Sequence, residues 1–174
     1  MTRKEFARRV MGDKTDVVQA FLDALRAHKI PFCVIGGMAV NSYAEPVVSL
    51  DLDVVVLSDR IKDVPAALPP GFKVKTLANI LNISAPGADL RIQVQLDPRY
   101  QIFLTRSKRR SVLDYAMPVA AVEDVLQGKI WAAQDDTRLP SKRQKDLADI
   151  LRLIEAKPEL SRLVPQTFRK KLSF

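Results

Sequence analysis

Asp51 and Asp53, separated by one leucine at the head of the apolar run Val54-Val55-Val56-Leu57, are the residues best placed by type and spacing to do chemistry. Alternate residues of a strand share a face about 6.5 Å apart at the backbone, so both carboxylates can aim at one point while Leu50 and Leu52 face away. At an effective dielectric of about 20, two carboxylates about 5 Å apart repel by roughly 3 kcal/mol. Such a pair needs a proton, basic partners or a cation. Oxygen donors alone suit Mg2+, with Mn2+ as the alternative. Two solvated carboxylates at a strand entrance are the plain alternative, although aspartate is a poor strand residue. About fourteen residues upstream, Gly36-Gly37 ends a second apolar run, Phe32 to Ile35, and opens a short helix. Glycines there let backbone amides approach an anion at the helix N-terminus; the simpler use is a tight strand-to-helix connection.

The elements that must position these residues follow from periodicity and turn chemistry. Thr15 can cap a helix whose Val17, Val18, Phe21, Leu22 and Leu25 form one apolar stripe, ended by Lys29-Ile30-Pro31. His28 falls in its last turn, without a Cys or His partner nearby for zinc or catalysis. A short helix around Met38-Ala39-Val40 stops before Pro46, and a helical segment near Arg60 to Leu68 stops at Pro69-Pro70-Gly71. Strands are expected over Phe72 to Leu77 and Ile80 to Ser84. The clearest alternation puts Leu90, Ile92, Val94 and Leu96 on one face and Arg91, Gln93, Gln95 and Asp97 on the other, so the polar face can carry a further site group. The remainder reads as helical, from about Val119 to Gln134 and from Ser141 to Ala156, with a polar loop between. Leu147, Ile150, Leu151 and Ile154 make the core stripe of the last helix, opposite Lys142, Lys145, Asp146 and Asp149. The two i,i+4 pairs among those charges predict an exposed salt-bridged face, each pair worth a few tenths of a kcal/mol.

The 174 residues, 47% hydrophobic, suffice for one domain, 1–174, divided into a catalytic core at 13–116 and a C-terminal helical segment at 117–174. The single cysteine, Cys33, sits inside an apolar run and excludes an internal disulfide framework. No stretch approaches a membrane span and Met1 to Phe6 leads into no signal-peptide core, so a cytoplasmic protein is expected. A net charge of +8 inclines it toward nucleotides or nucleic acid, with basic clusters at Arg3 to Arg9, Arg106 to Arg110, Lys142 to Lys145 and Arg169 to Lys171. At 6% aromatic residues, a stacking platform for single strands is sparse.

Gly36-Gly37, then Ser49 and Asp51-Leu52-Asp53, resemble the signature of the nucleotidyltransferase superfamily, whose members include DNA polymerase beta and the minimal nucleotidyltransferases. The C-terminal blocks Glu123-Asp124-Val125-Leu126 through Lys129, and Ser141 through Ile150, are similar to the AbiEii-type branch, known for toxins of toxin–antitoxin pairs. The resemblance implies an α+β fold: a small mixed twisted sheet with helices on one side and a C-terminal helical segment closing a nucleotide cleft. It implies transfer of a nucleotidyl group from a nucleoside triphosphate to a hydroxyl of RNA, protein or a small molecule, and an antitoxin or other protein partner.

In that reading Asp51 and Asp53 ligate the metal, Gly36, Gly37 and Ser49 hold the phosphates, and Lys129, Lys142 and Lys145 reach the nucleotide. The third carboxylate is either Asp97, the residue expected to be catalytic, or a position that Gln95 now fills without charge. A scaffold of the same fold that binds nucleotide, RNA or a partner without catalysis is the alternative.

Overall fold

The computed structural model describes residues 16–174. The expected Thr15 cap and the Arg3 to Arg9 cluster lie outside them. Asp16 caps α1 (Val17–Ala27) instead, accepting from the Gln19 N–H at 2.9 Å, and the expected apolar stripe is buried. A ring nitrogen of His28, which closes the helix, lies 2.9 Å from the Ala24 carbonyl oxygen.

Next come β1 (Phe32–Ile35), α2 (Gly36–Asn41) and β2 (Asp51–Val56). A 3-10 turn at Ser58–Asp63 continues into α3 (Val64–Ala67), then β3 (Lys73–Leu77), β4 (Ile80–Ser84) and β5 (Arg91–Gln95). Each lies where turn residues and alternation put it. The chain beyond β5 departs from the all-helical expectation. After a 3-10 turn at Pro98–Ile102 and α4 (Phe103–Arg106) it forms a hairpin, β6 (Lys108–Val112) and β7 (Tyr115–Val119). Its two-residue turn is left-handed at both positions, Leu113 at φ 52° and Asp114 at φ 68°, which suits the strand twist but uses a leucine where Asn or Gly would have signalled it. Four of the five β6 side chains are exposed, and β7 is apolar throughout and carries Pro118, so neither strand shows an apolar–polar alternation. The division expected at 116/117 falls inside β7.

The seven strands of the described residues run β3-β4-β5-β2-β1-β7-β6, with β1–β7 and β2–β5 parallel and the other pairs antiparallel. Register sorts the two faces. Phe32, Val34, Leu52, Val54, Val56, Ile83, Ile92 and Val94 share one face, and all are buried. The ring of Phe21 meets that of Phe32 edge-on at 6.2 Å, so α1 covers this face. The opposite face carries Cys33, Ile35, Asp51, Asp53, Arg91, Gln93 and Gln95. Burial raises the Cys33 thiol to about 12, and the negative field of Asp124 adds to it, as befits a packing residue.

Helices α5 (Val122–Gln134) and α6 (Pro140–Ala156) pair over that second face, followed by a 3-10 turn at Pro158–Leu163 and α7 (Gln166–Leu172). Helices therefore flank the sheet on both faces rather than one. The buried side of α6 is Asp146, Asp149, Ile150 and Leu153, an i, i+3, i+4, i+7 stripe that includes two carboxylates. This corrects the exposed salt-bridged face: Asp146 is 1% exposed and Asp149 2%. Among the described residues no helix is long and apolar enough to cross a membrane.

Candidate active site

Asp51 and Asp53 leave β2 on the face that α5 and α6 cover, and both line a cavity of about 330 Å³. Asp53 pairs in register with Ile35, the last residue of β1, so its carboxylate lies over the chain as it turns into α2. Gly36 makes that possible. Its φ is +67°, and a Cβ there would sit 2.1 Å from Asp53 Oδ2 and 2.9 Å from Asp53 Cβ. Gly37 is less constrained: a Cβ would meet Ser49 Oγ at 3.4 Å, an ordinary contact. Ser49, its hydroxyl donating to the Asp51 carbonyl at 3.3 Å, lines the same cavity.

The facing wall is basic. Lys129 and Arg138 line it, with Lys142 and Lys145 exposed on the first turns of α6. Lys129 is 7% exposed, and its Nζ lies 2.9 Å from Asp146 Oδ1 and 2.7 Å from Asp149 Oδ2. Burial works against its charge, but the two carboxylates outweigh burial and hold its pKa above the ordinary lysine value. Arg138 Nε takes the other oxygen of Asp146 at 2.7 Å, and Arg152 Nη1 bonds Asp149 Oδ1 at 2.7 Å. Arg152 continues to Asn41 Oδ1 at 2.8 Å and to the Glu45 carbonyl. Asn41 in turn clasps the backbone of Val47 at 2.6 and 3.1 Å. The chain that delivers Asp51 is thus tied to α6.

Loss of hydration raises the Asp53 carboxyl to about 6; Lys129 opposes the rise, Asp51 adds to it, and Arg138 and Lys145 oppose it. The desolvation of an anion outweighs three cations.

The β5 side differs from expectation. Gln93 stands beside Asp53 in register, and Arg91 beside Asp51. Arg91 Nε and Nη2 both reach Asp51 Oδ1 at 2.9 Å. Gln95, one step further, lines the cavity, and its Oε1 accepts from the Asp97 N–H at 3.0 Å. Asp97 is not among the residues lining the cavity. It caps the following 3-10 turn and grips Arg99 through both oxygens, at 2.7 to 3.2 Å, and that hydrogen bonding lowers its pKa. The strand ends at Gln95, so the alternation that carried Asp97 onto the site face stops two residues short.

The structure therefore brings Gly36, Gly37, Ser49, Asp51, Asp53, Lys129, Lys142 and Lys145 to one cavity and leaves Asp97 outside it. Sequence reasoning missed Arg138, whose place in a polar loop carried no signal, and the contact of Arg91 with Asp51, which only strand register reveals. It also missed the aromatic corner, where Tyr100 and Phe103 line the cavity and pack on Trp131 at 5.2 and 5.7 Å.

Two oxygen donors over a glycine that a Cβ would fill suit a hard divalent cation held jointly with substrate phosphates, the usual arrangement for magnesium. They do not form an all-protein cage: among the described residues no group of three or more Asp, Glu, His or Cys is placed to hold a metal.

A mixed sheet with an Asp-x-Asp strand beside a strand–glycine–helix turn, under a helical pair, is the nucleotidyltransferase fold. Solved structures similar to this chain share it. They include ANT(2'')-Ia in complex with adenylyl-2''-tobramycin, at TM-score 0.65 and 13% identity over 92% of this chain and 99% of that one. The lincosamide antibiotic adenylyltransferase LnuA with lincomycin matches at TM-score 0.53 and 13% identity, over 80% and 98%. An antigenic nucleotidyltransferase-like protein from Paracoccidioides brasiliensis matches at 0.56 and 16%, over 94% and 92%. At these identities the likeness is one of fold. No protein-family model matches the sequence, and no curated protein is similar to it.

Proposed function

We propose that this chain is a metal-dependent nucleotidyltransferase, moving a nucleotidyl group from a nucleoside triphosphate to a hydroxyl and releasing pyrophosphate. The observation that carries the reading is the convergence of Asp51 and Asp53 with Lys142, Lys145 and Arg138 on one cavity. Asp51 and Asp53 would hold Mg2+ or Mn2+ together with the triphosphate. The cation, when bound, polarises the phosphoryl group and eases ionisation of the attacking hydroxyl. Lys142 and Lys145, exposed at the mouth, meet the phosphates. Lys129, committed to Asp146 and Asp149, acts through its field and by fixing α6. Gly36 gives Asp53 its place, and Gly37 and Ser49 line the approach for the phosphates.

A net charge of +8 favours RNA among the acceptors. The AbiEii-type placement, and with it a toxin role and an antitoxin partner, rests on the resemblance of the C-terminal helices alone. One observation favours the second reading, a scaffold that binds without transfer: Gln93 and Arg91, not a carboxylate, stand beside the aspartates.

Incubation with each α-labelled triphosphate, Mg2+ and total RNA or cell lysate tests the proposal. Label should pass to an acceptor with the wild type and not with Asp51→Asn, whose circular dichroism should be unchanged. Triphosphate binding without any incorporation would favour the scaffold.

A further inference from the structure

Resting on the metal-dependent reading, we propose that this site takes one divalent cation per chain rather than a pair. A second cation brings two more positive charges and needs a further anionic oxygen within bridging reach of the first. Among the described residues the sheet has one place to supply it. On the β1 side Asp53 is paired with Ile35, after which the chain turns away at Gly36, so the neighbouring positions are those of β5. These are Gln93 beside Asp53, an uncharged amide, and Arg91 beside Asp51, a cation. Arg91 also occupies Asp51 Oδ1 through two nitrogens at 2.9 Å, which leaves Oδ2 as the oxygen that Asp51 can give to a metal.

The helices do not make up the deficit. Two other carboxylates, Asp124 and Asp146, line the cavity, and both oxygens of each are engaged. Arg106 holds Asp124 through both, one at 3.0 Å. Asp146 has Lys129 on one oxygen at 2.9 Å and Arg138 on the other at 2.7 Å. Freeing Asp146 would take one of its two anionic partners from the buried Lys129, and freeing Asp124 would break its two-pronged pairing with Arg106. The described residues therefore provide for one cation, with the half-exposed Arg91 guanidinium beside it on Asp51.

Counting bound Mn2+ by electron paramagnetic resonance tests this on the full chain, with and without saturating α,β-methylene triphosphates. The wild type should bind one uncoupled Mn2+ per chain in both conditions. Gln93→Asp and Gln93→Glu, each adding the missing anionic oxygen, should bind two with the spectrum of a coupled pair, a change that a merely structural role for Gln93 would not produce. Two coupled ions in the wild type, or a single ion in both folded variants, would overturn the proposal. No bound Mn2+ in the wild type under either condition would instead remove the metal-dependent reading beneath it.

Discussion

Replacing Asp53 by Asn should stabilise the protein, by an amount that depends on pH. The side chain keeps its shape over Gly36 but loses a charge that the site does not solvate. The native carboxyl holds its proton up to about 6, whereas an ordinary aspartate releases it near 3.8. Between those values the native state binds more protons than the unfolded chain, so this group makes wild-type stability fall as pH rises across the window. The gap corresponds to roughly 3 kcal/mol once the carboxylate is fully ionised. Because Asp53 is half-buried, residual hydration reduces this to about 1–3 kcal/mol. For a chain of this size that is a rise in Tm of about 3–9 °C at pH 7.5, shrinking to a small fraction of that near pH 4, where the native carboxyl is protonated and the unfolded one about half ionised. Thermal melts of wild type and variant at half-unit steps from pH 4 to 8 read the difference directly, and groups common to both proteins cancel. Added Mg2+ should raise the wild-type Tm and leave the variant unmoved, since only the wild type offers the full donor pair. A difference independent of pH, or a variant less stable at pH 7.5, would refute the account of Asp53 as a poorly solvated anion.

Two further substitutions probe the frame around it. Gly36→Ala should cost about 3 kcal/mol or more by urea denaturation, combining a left-handed backbone, roughly 1–2 kcal/mol for a residue with a side chain, with the collision against Asp53. The double variant Gly36→Ala/Asp53→Ala should recover part of that loss; strict additivity would show that the glycine serves something other than the carboxylate. Lys129→Met strands two buried carboxylates with one cationic partner each and should cost about 3–5 kcal/mol, a fall in Tm of about 10 °C; a loss under about 1 kcal/mol would mean that the network is dispensable.

The legible part of the fold is that written in local chemistry. Phe32 to Ile35 is a strand because it is apolar and followed by two glycines, and Leu90 to Leu96 because it alternates. Lys108 to Val119 hid because its outer strand is an edge strand, where lysine and arginine protect against pairing with other chains and remove the apolar signal. The buried face of α6 hid for another reason. Asp146 and Asp149 occupy core positions of the helical period, but a pattern read only in apolar residues passes over them. Their burial depends on Lys129, seventeen residues before Asp146 and on another helix. Likewise the sequence shows Gln93 and Arg91 on the right face, but their adjacency to Asp53 and Asp51 requires the parallel β2–β5 register, which no local signal sets.

That network explains why the helical pair belongs to the site and is not merely laid against it. Neighbouring carboxylates repel each other and resist desolvation, so the segment carrying them gains little from holding them together and must be held from elsewhere. Here the hold runs from Lys129 through Asp149 to Arg152, from Arg152 to Asn41 and Glu45, and from Asn41 to the backbone at Val47, a few residues before Asp51. The first link is a buried ion pair at 2.7 Å and the others are hydrogen bonds, those of Arg152 charge-assisted, the kind that fixes geometry most firmly. The same Lys129 also offsets part of the cost of ionising Asp53. One buried lysine therefore fixes the helix that bears Lys142 and Lys145 and favours the charged form of Asp53. Loss of Lys129 should accordingly reach the Asp pair through geometry and field together, without touching it.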